Sequence, residues 1–445
     1  MGNEWTTQPL EDCMAAIIDY RGKSPDKTTF GIPLVTAKII KGGRIESPEE
    51  FIAEKDFEGW MRRGMPQPGD IVMTTEAPLG EVAQLDGRKV ALAQRVITLR
   101  GKPGVLDNTF LKFLLQSNPV QEELRSRGTG TTVVGIRQSE LRKVSLTLPT
   151  FPEQRAIANI LGVLDDKIEL NRRMNETLEG LARAIFQSWF VDFDPVRAQR
   201  DGLPPPALSP ATAALFPDSF EDSELGKIPK GWCMTNLGKE VDLFTGFPFK
   251  SEEYTDTAGA IRLVRGDNVV QGRLRWESVK CWPSHMLDGL DDYQLQKGDV
   301  VLAMDRPWIE AGLKYAWIAD HDLPCLLVQR VARLRSNGVG IGTGYARLLI
   351  GSQEFTQYVL AIQTGTAVPH ISGTQIKSFE FVLPSAKDRR LLQHFEHAVA
   401  PLLDRFDSNN GESQTLAAIR DALLPKLLSG EIRVAEAERL VEDAG

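Results

Sequence analysis

The chain has 445 residues, of which 42% are hydrophobic and 25% charged, and this length fits two domains of about 150 residues each with connecting segments. The composition is ordinary for a soluble globular protein, no segment reaches the roughly 18 apolar residues of a membrane span, and the four cysteines form no C-x-x-C pair typical of zinc or redox sites. A formal net charge of −8 argues against uniform nucleic-acid binding but is compatible with a local basic surface.

Residues 1–149 form the first predicted domain, in which short β-strands alternate with Gly and Pro. The start lacks a basic segment followed by an apolar run, so no secretory signal is expected and a cytoplasmic location is predicted. One helix is predicted near Thr109 to Arg125. The predicted strands, which share runs of apolar and β-branched residues, are 31–35, 69–73, 90–92 with 94–97, and 144–148.

Residues 150–190 are predicted to form a long helix. Thr150 and Glu153 fit a capping box at its start, with Pro152 in the first turn. Seam residues then recur at alternating spacings of four and three, which is typical of a coiled coil, and two asparagines occupy its middle. The seam positions are Ile157, Leu161, Leu164, Ile168, Asn171, Asn175, Leu178, Ala182, Ile185 and Trp189.

Residues 191–231 contain too much proline for regular structure and are predicted to be a Pro-rich linker that tethers the two units. Residues 232–384 then repeat the pattern of the first domain, with one helix near Ser352 to Ile362. The predicted strands are 260–264, 299–302, 328–331 and 379–383. Both domains are therefore predicted to be compact α+β units built on a curved sheet.

A second long helix is predicted over residues 385–430, with Ser385 and Asp388 in the capping register. Its seam has the same spacing and again carries polar residues near the middle. The seam positions are Leu392, Phe395, Val399, Leu402, Phe406, Asn409, Ser413, Leu416, Arg420, Leu423 and Leu427. The acidic tail, residues 431–445, follows Gly430 and is expected to fray.

The two halves of the chain are copies of one unit. Matching residues lie 227 positions apart at the start, then 229, and finally 235, as loop insertions in a duplicated unit would produce. Function is therefore predicted to be a property of the pair. The matches are Trp5 with Trp232, Gly69-Asp70 with Gly298-Asp299, Gln94-Arg95 with Gln329-Arg330, Gly130-Thr131 with Gly365-Thr366, Ile136 with Ile371, Leu148-Pro149 with Leu383-Pro384, and Arg155 with Arg390.

The two long helices are predicted to form an antiparallel coiled coil with pseudo-two-fold symmetry. In that arrangement Asn171 and Asn175 meet Asn409 and Ser413, so that each buried amide finds a hydrogen-bonding partner. Parallel pairing also matches these layers, but two equal units placed head to tail favour the antiparallel form, with one domain at each end. Helices of about 35 residues would form a spacer of roughly 50 Å. The alternative is two helices that pack only on their own domains.

Several separate motifs stand in order around the duplication. They are Leu148-Pro149, Pro152-Glu153-Gln154-Arg155, Ser188-Trp189-Phe190-Val191-Asp192-Phe193 with Pro195, Leu215-Phe216-Pro217, residues 225–232 and residues 423–432. Together they resemble the specificity subunit of type I restriction–modification systems over nearly the whole chain. The second helix start, Ser385 to Arg390, lacks the Pro-Glu-Gln triplet of the first.

The resemblance implies two target-recognition domains, residues 1–149 and 232–384, each reading one half of a bipartite site in double-stranded DNA. It implies that the helices set the distance between the half-sites and dock two modification subunits, which bind S-adenosylmethionine and methylate adenine. Restriction subunits with motor and nuclease activity complete the implied complex. The specificity subunit itself would then be non-catalytic and hold no cofactor, with S-adenosylmethionine, ATP and Mg²⁺ bound by the partner subunits.

Candidate catalytic motifs are weak. Asp194-Pro195-Val196 lacks the second proline and the aromatic of a methyltransferase loop, and no P-loop occurs. Asp165-Asp166-Lys167 contains the end of a nuclease metal motif, and His394 with His397 has a spacing that can ligate a metal, but helix-surface residues are the preferred interpretation of both. The alternatives left open are a self-contained restriction or modification enzyme and a tandem-domain protein-binding adaptor.

Candidates for DNA contact are Gly-rich polar loops and arginines. Glycines allow close approach of the backbone, Thr hydroxyls bond phosphate oxygens, and arginine forks contact bases or phosphates. The alternatives are a tight hydrophilic turn for the loops and a solvated or ion-paired side chain for each arginine. The candidates are Arg62, Arg63, Thr129, Thr131, Arg137 and Gln138 in the first domain and Arg265, Arg273, Arg275, Arg306, Thr364, Thr366 and His370 in the second, together with Lys55, Trp308 and Gln375.

Gln94-Arg95 and Gln329-Arg330 fall within predicted strands and are identical in the two copies. Because the two half-sites generally differ, identical residues are predicted to serve the shared fold or phosphate contact. Base-reading residues are predicted where the copies diverge, which is in residues 36–66 and 266–295.

Overall fold

The computed structural model describes residues 5–20, 24–130, 132–224, 226–364, 369–385 and 389–442. The chain divides into two compact units. Unit 1 comprises Met1–Leu170 with Glu412–Gly445, and unit 2 comprises Asn171–Gly411. Each unit is therefore an α+β domain together with parts of the two long helices, in agreement with the predicted fold class.

Unit 1 has short strands and short helices before its first long helix. Strands β1 to β12 are Thr6–Pro9, Met14–Asp19, Lys27–Thr28, Ile32–Val35, Ile40–Lys41, Arg44–Ile45, Phe51–Ile52, Ile71–Thr75, Leu79–Gln84, Ala91–Leu92, Val96–Gly101 and Ser145–Leu148. Helices α1 to α5 are Leu10–Cys13, Phe57–Trp60, Asn108–Gln116, Asn118–Ser126 and Gln138–Leu141. The long helix α6, Phe151–Phe190, follows.

Unit 2 repeats this plan after a connecting segment. Helices α7 to α12 are Asp194–Arg200, Pro210–Ala213, Leu237–Glu240, Thr343–Ile350, Gln353–Ile362 and Gly373–Lys377. Strands β13 to β27 are Phe220–Ser223, Gly226–Pro229, Trp232–Asn236, Val241–Thr245, Ile261–Val264, Val269–Val270, Arg273–Leu274, Cys281–Trp282, Val300–Ala303, Trp308–Ile309, Gly312–Leu313, Tyr315–Trp317, Cys325–Leu327, Val331–Ser336 and Glu380–Pro384. The second long helix, α13, is Arg390–Ser429, and α14 is Val434–Glu442.

The duplication seen in the sequence is a duplication of topology. Unit 1 has a four-stranded sheet in the order β2-β11-β8-β9, and unit 2 has the matching order β16-β26-β21-β24. The pair β1-β12 corresponds to β15-β27. A second, mixed sheet in each unit contains one parallel pair, β4 with β10 in unit 1 and β17 with β25 in unit 2. The copies thus share their main sheets strand for strand.

The single helix predicted near Thr109 to Arg125 is two helices, α3 and α4. The break falls at Ser117, whose ψ of 146° is extended. Pro119 lies in the first turn of α4, where its missing N–H is tolerated, but in one continuous helix it would leave the carbonyl of Leu115 without a donor. In unit 2 the predicted helix near Ser352 is α11, and α10, which precedes it, was not predicted.

The long helices pack antiparallel within each unit. In unit 1 the Asp165 carboxylate of α6 accepts a hydrogen bond of 2.7 Å from Arg420 of α13. In unit 2 Asn175 and Asn409 join the helices through a bond of 2.9 Å, and Trp189 meets Phe395 with ring centroids 5.7 Å apart. Since rising numbers on one helix meet falling numbers on the other, the predicted antiparallel coiled coil is confirmed.

Two predicted irregular segments are ordered. The linker contains α7, α8 and a β13-β14 hairpin, and its Phe193 and Phe216 contact Trp232 and Trp189 at centroid distances of 5.6 and 5.3 Å. The tail beyond Gly430 forms α14, whose Ala437 is fully buried in the core of unit 1. The predictions of an irregular linker and of a frayed tail were both wrong, because aromatic and aliphatic side chains bury enough area to offset the loss of chain entropy.

Predicted strands are confirmed at most positions. The predicted capping register of the second long helix, Ser385 with Asp388, falls on residues 386–388, which lie outside the described residues. Across the described part of the chain, no helix combines the length and the hydrophobicity that a bilayer crossing demands.

Candidate nucleic-acid interface

In unit 1 the loop between Thr129 and Gly135, the Thr-rich loop, forms a small hairpin at one end of the four-stranded sheet. Thr129 and Gly135 exchange two backbone hydrogen bonds of 2.8 and 3.0 Å. Ile136 N then donates to the carbonyl of Thr75, the last residue of β8, at 2.9 Å. Thr129 is exposed, whereas the candidate Thr131 lies outside the described residues. The loop is thus joined to the sheet through its backbone.

The equivalent loop of unit 2 has the same connections. Thr364 and His370 exchange backbone bonds of 3.0 and 2.8 Å, and Ile371 N donates to the carbonyl of Met304 at 2.9 Å. The His370 Nε2 atom also lies 3.2 Å from the Thr364 hydroxyl. The candidate Thr366 lies outside the described residues. Both units therefore place a polar loop at the same end of the matching sheet.

The Gln94-Arg95 and Gln329-Arg330 pairs lie in turns before β11 and β26, so the prediction that they lie within strands is wrong. The carbonyl of Arg95 accepts from Thr75 N at 2.9 Å, and that of Arg330 accepts from Met304 N at 2.8 Å. These bonds connect each turn to the strand that also holds the polar loop.

An acidic residue joins each of these turns to its loop. In unit 1 Glu76 is paired with Arg95, with 2.8 Å between Oε1 and Nε, and forms a β-bridge with Gly135. In unit 2 Asp305 lies 3.7 Å from Nε of Arg330 and forms a β-bridge with His370. Loop, carboxylate and arginine thus meet at corresponding places in both units.

Arg62 and Arg63 lie at this same end of the unit 1 sheet. Arg63 donates to the carbonyl of Asp19, the last residue of β2, at 2.8 Å. The hydroxyl of the neighbouring Tyr20 donates to Gly64, and burial raises the pKa of Tyr20 to about 12, so the phenol stays protonated. Both arginines are exposed. They therefore add positive charge beside the Thr-rich loop.

In unit 2 the β18-β19 hairpin brings several candidates together along β24. Gly272 N donates to the carbonyl of Tyr315 at 2.9 Å, which places the hairpin beside this strand. Burial lowers the pKa of Lys314. The nearby positive charges of Arg306 and Arg275 lower it further, whereas the negative charges of Asp267 and Asp305 raise it. Arg265 pairs with Asp267 at 3.4 Å. The charges of Arg275 and Arg306 thus act on Lys314, and Arg265 is paired with Asp267, whose charge also acts on this lysine.

The remaining candidates make none of the side-chain contacts described above. Arg273 is exposed on β19, Arg137 precedes α5 and is exposed, and Gln138 begins that helix. Lys55 lies on an exposed single turn, and Trp308 starts the β22-β23 hairpin. Gln375 is structural, because its side chain closes the capping box of α12 with Ser372.

The opposite end of each sheet carries a shared scaffold contact. Arg100 donates two bonds of 2.7 Å to Asp70, and Arg335 donates bonds of 2.6 and 2.7 Å to Asp299. Hydrogen bonding to the carboxylates raises the pKa of both arginines. Asp70 and Asp299 are almost fully buried, so these bidentate pairs hold the two sheets in the same way.

The comparisons with known proteins agree with this duplicated architecture. Residues 22–180 match the family model described as type I restriction modification DNA specificity domain. The chain is 27% identical over 441 residues to the type I restriction enzyme MjaIX specificity subunit of Methanocaldococcus jannaschii, covering 97% of this chain and 94% of that protein. The chain is similar over nearly its whole length to type I restriction–modification specificity subunits.

Two further relatives extend the match. The MjaVIII specificity subunit of the same organism is 25% identical over 349 residues, covering 78% of this chain and 76% of that protein. The crystal structure of the type I restriction–modification S subunit from M. genitalium covers 96% of each chain with a TM-score of 0.62 and 17% identity. At that identity the structural likeness concerns the fold.

The weak catalytic motifs of the chain lie in structural contacts. Asp165 accepts from Lys112 and Arg420, and Lys167 pairs with Glu412 at 3.2 Å. His394 Nδ1 lies 3.1 Å from the hydroxyl of Thr212. Within the described ranges, no group of three or more His, Cys, Asp or Glu side chains is placed to hold a metal ion.

Sequence reasoning missed Lys314 as a member of the candidate site. Tyr315 pairs with Leu302 as Val82 pairs with Met73, so Lys314 occupies the place that Glu81 has in unit 1. The charge is therefore reversed between copies at this position. Lys314 and Glu81 lie between the matching sequence blocks, where the offset between the two copies changes. The sequence alone therefore does not show that these two residues correspond, and strand pairing does.

Proposed function

We propose that this chain is the DNA-reading subunit of a type I restriction–modification complex, and that the loop-bearing end of each four-stranded sheet contacts one half of a bipartite site. The observation that carries the proposal is the recurrence of loop, carboxylate and arginine at equivalent sheet ends. Shared donors suit contact with phosphates, which are the same in any sequence. The reading of bases then falls to residues that differ between the copies.

The β5-β6 hairpin of unit 1 and the β18-β19 hairpin of unit 2 are the favoured base-reading elements. They lie inside the divergent segments 36–66 and 266–295. Unit 1 has Glu46 and Glu81 where unit 2 has Arg275 and Lys314. Carboxylates accept from cytosine amino groups, whereas arginine and lysine donate to guanine. This difference in charge supports recognition of two different half-sites.

The partners follow from the similarity to these specificity subunits. We propose that the long helices dock two modification subunits, which bind S-adenosylmethionine and methylate adenine, and that restriction subunits complete the complex in the cytoplasm. ATP and Mg²⁺ would be used by those partners and not by this chain. Unit 1 offers an exposed groove of about 670 Å³ along α6, lined in part by Arg155, Asn159 and Gly162.

The decisive experiment is single-molecule sequencing of methylated adenines in DNA modified by the complex of this chain with its modification subunits. We expect one bipartite motif with a constant gap, and methylation that disappears without this chain. A contiguous motif, or methylation independent of the chain, would overturn the proposal.

Two further measurements address the alternative functions. The purified chain alone, given Mg²⁺, ATP and S-adenosylmethionine, is expected neither to cleave DNA nor to transfer a methyl group, whereas a self-contained enzyme would do one or both. The complex is expected to bind duplex DNA less tightly as salt rises, because phosphate contacts release counterions. A protein-binding adaptor would show no such retention.

A further inference from the structure

Arg95 and Arg330 are presented in the same way by two independent copies of the fold. Each follows a glutamine in the turn that enters the central strand of its sheet, and each carbonyl is hydrogen-bonded to the neighbouring strand. The side chains nevertheless remain 51% and 63% exposed. The backbone of each arginine is therefore held in place while its guanidinium faces solvent.

The carboxylate partners of these arginines are also largely exposed. Glu76 is 43% and Asp305 is 40% exposed, and the Asp305 contact is long, at 3.7 Å. Ion pairs in such solvated surroundings contribute little to stability. A phosphate can therefore take the place of the carboxylate with little cost to the fold. By contrast, Arg100 and Arg335 bind buried aspartates and are not available for exchange.

The backbone of unit 2 shows that this turn is maintained in an unfavourable conformation. Arg330 has a φ of 66°, and Arg306, beside it in the same site, has a φ of 46°. Non-glycine residues rarely adopt this left-handed region, and residues that do so often lie at functional sites. In the fold of unit 1, Ala77 at φ 52° occupies the place of Arg306. The left-handed position that follows the carboxylate is thus common to both copies, whereas the left-handed arginine is found in unit 2 alone, because Arg95 has no positive φ.

Resting on the proposed function, we propose that Arg95 and Arg330 are equivalent DNA-phosphate ligands, each of which exchanges Glu76 or Asp305 for a backbone phosphate when DNA binds. Their identity in both copies excludes them as readers of two different half-sites, whereas the phosphate backbone presents the same oxygens to each domain. The guanidinium fork suits bidentate contact with those oxygens. The carboxylate acts as a competitor that is displaced on binding.

The test uses the complex of the full chain with its modification subunits and measures its affinity for cognate and non-cognate duplexes over a range of salt concentrations. Arg95→Ala and Arg330→Ala should each weaken both affinities by the same factor and make the slope of log K against log salt less steep by about 0.9. Arg95→Lys should retain most of the slope, since lysine keeps the charge. The methylated motif should not change.

The carboxylate variants separate this proposal from a purely structural ion pair. Glu76→Gln and Asp305→Asn remove the competing charge and should tighten DNA binding. If the ion pair of arginine and carboxylate serves only to hold the loop, removing the carboxylate weakens DNA binding as much as removing the arginine. Tighter binding by the carboxylate variants together with weaker binding by the arginine variants is therefore the expected result, and weaker binding by all four would overturn the proposal.

Matched controls come from the other end of the sheet. Arg88 pairs with Asp86 at 2.7 Å beyond β9 and is exposed, and Lys297 pairs with Asp320 at 2.7 Å. Arg88→Ala and Lys297→Ala should leave the salt slope unchanged. If the wild-type complex shows no salt-dependent DNA binding, the proposed function itself fails. If it binds but Arg95→Ala and Arg330→Ala behave like the controls, only the phosphate assignment fails.

Discussion

Arg347 of α10 is almost fully buried in unit 2, where its guanidinium lies 3.3 Å from the ring centroid of Trp317. It donates to Asp407 of α13 at 3.1 Å, and Trp317 donates to the same carboxylate oxygen at 2.8 Å. Burial lowers the pKa of Arg347 to about 10 and raises that of Asp407, whereas their pairing favours the ionised form of both groups. This buried pair joins the recognition domain to the long helix.

Removing one member of this pair should be costly. Asp407→Ala leaves the buried guanidinium of Arg347 without its counter-charge, and we expect the free energy of unfolding of the chain to fall by about 3 to 5 kcal/mol. The double variant Arg347→Met with Asp407→Leu should lose less, because neither charge remains buried. Urea unfolding followed by tryptophan fluorescence measures both. As a control, Asp86→Ala removes an exposed pair and should change the value by less than about 1 kcal/mol.

Glu240 provides a prediction of pH dependence. Burial opposes its ionisation, but hydrogen bonds from Arg389 and Thr235 outweigh this effect and hold its pKa below the ordinary 4.5. Since the folded state binds this proton less tightly than the unfolded chain, the stabilisation is complete above pH 4.5 and is lost as the pH falls through the lowered pKa. Between about pH 5 and pH 3 the wild type should therefore lose more stability than Glu240→Gln. Parallel pH curves for the two proteins would contradict this assignment.

At the scale of elements, the hairpin beside the fourth strand has the same length in both copies but different charged residues. In unit 1 the β5-β6 hairpin is held to β9 by Gly42 N, which donates to Glu81 at 3.0 Å, while Lys41 pairs with Glu46. In unit 2 the corresponding positions carry Lys314 and Arg275. The two hairpins share their length and pairing, and the charge reverses at two places, from Glu46 to Arg275 at the end of the hairpin and from Glu81 to Lys314 on the neighbouring strand.

Exchanging this element should change one half-site alone. Replacing residues 40–46 by residues 269–275, together with Glu81→Lys, transfers the basic hairpin to unit 1 without changing loop length. We expect the first half-site of the methylated motif to shift towards guanine contacts while the second half-site is unchanged. Methylated-adenine sequencing of DNA modified by the variant complex measures this, and an unaltered first half-site would show that the hairpin does not read bases.

At the scale of the whole molecule, the duplication predicts modular recognition. Replacing residues 5–149 by the corresponding domain of another specificity subunit should change only one half-site, because the contacts that form each sheet lie inside its own unit. The same sequencing experiment reports both half-sites at once. A change in both halves would mean that the two domains do not read independently.

The two 40-residue helices α6 and α13 predict a second property of the whole chain. Adding about four residues, one helical turn, to each helix at the division between the units should lengthen the permitted gap between half-sites. The added turn preserves the seam spacing only approximately, so the folded state of the variant is checked by its unfolding transition. A folded variant with an unchanged gap would show that the helices do not measure distance.

Most of the regular architecture was predictable because it depends on local patterns. Seam spacing predicts both long helices and their pairing, and it places Asn175 opposite Asn409, since buried amides require partners. The sequence does not predict that the linker and the tail adopt ordered structure, because Phe216 and Ala437 become buried only against surfaces that distant parts of the chain create. Proline content described the local chain but not that burial.

For the candidate site, sequence determined the repeat and hence which residues are shared and which differ. It nominated the threonine loops and the arginines at 62, 63, 275 and 306, but placed Arg95 and Arg330 inside strands. Only tertiary structure brought these arginines beside the loops and showed Lys314 in the place of Glu81. The reason is that the site is made by strand pairing across the sheet, and pairing between distant segments depends on packing that no local pattern encodes.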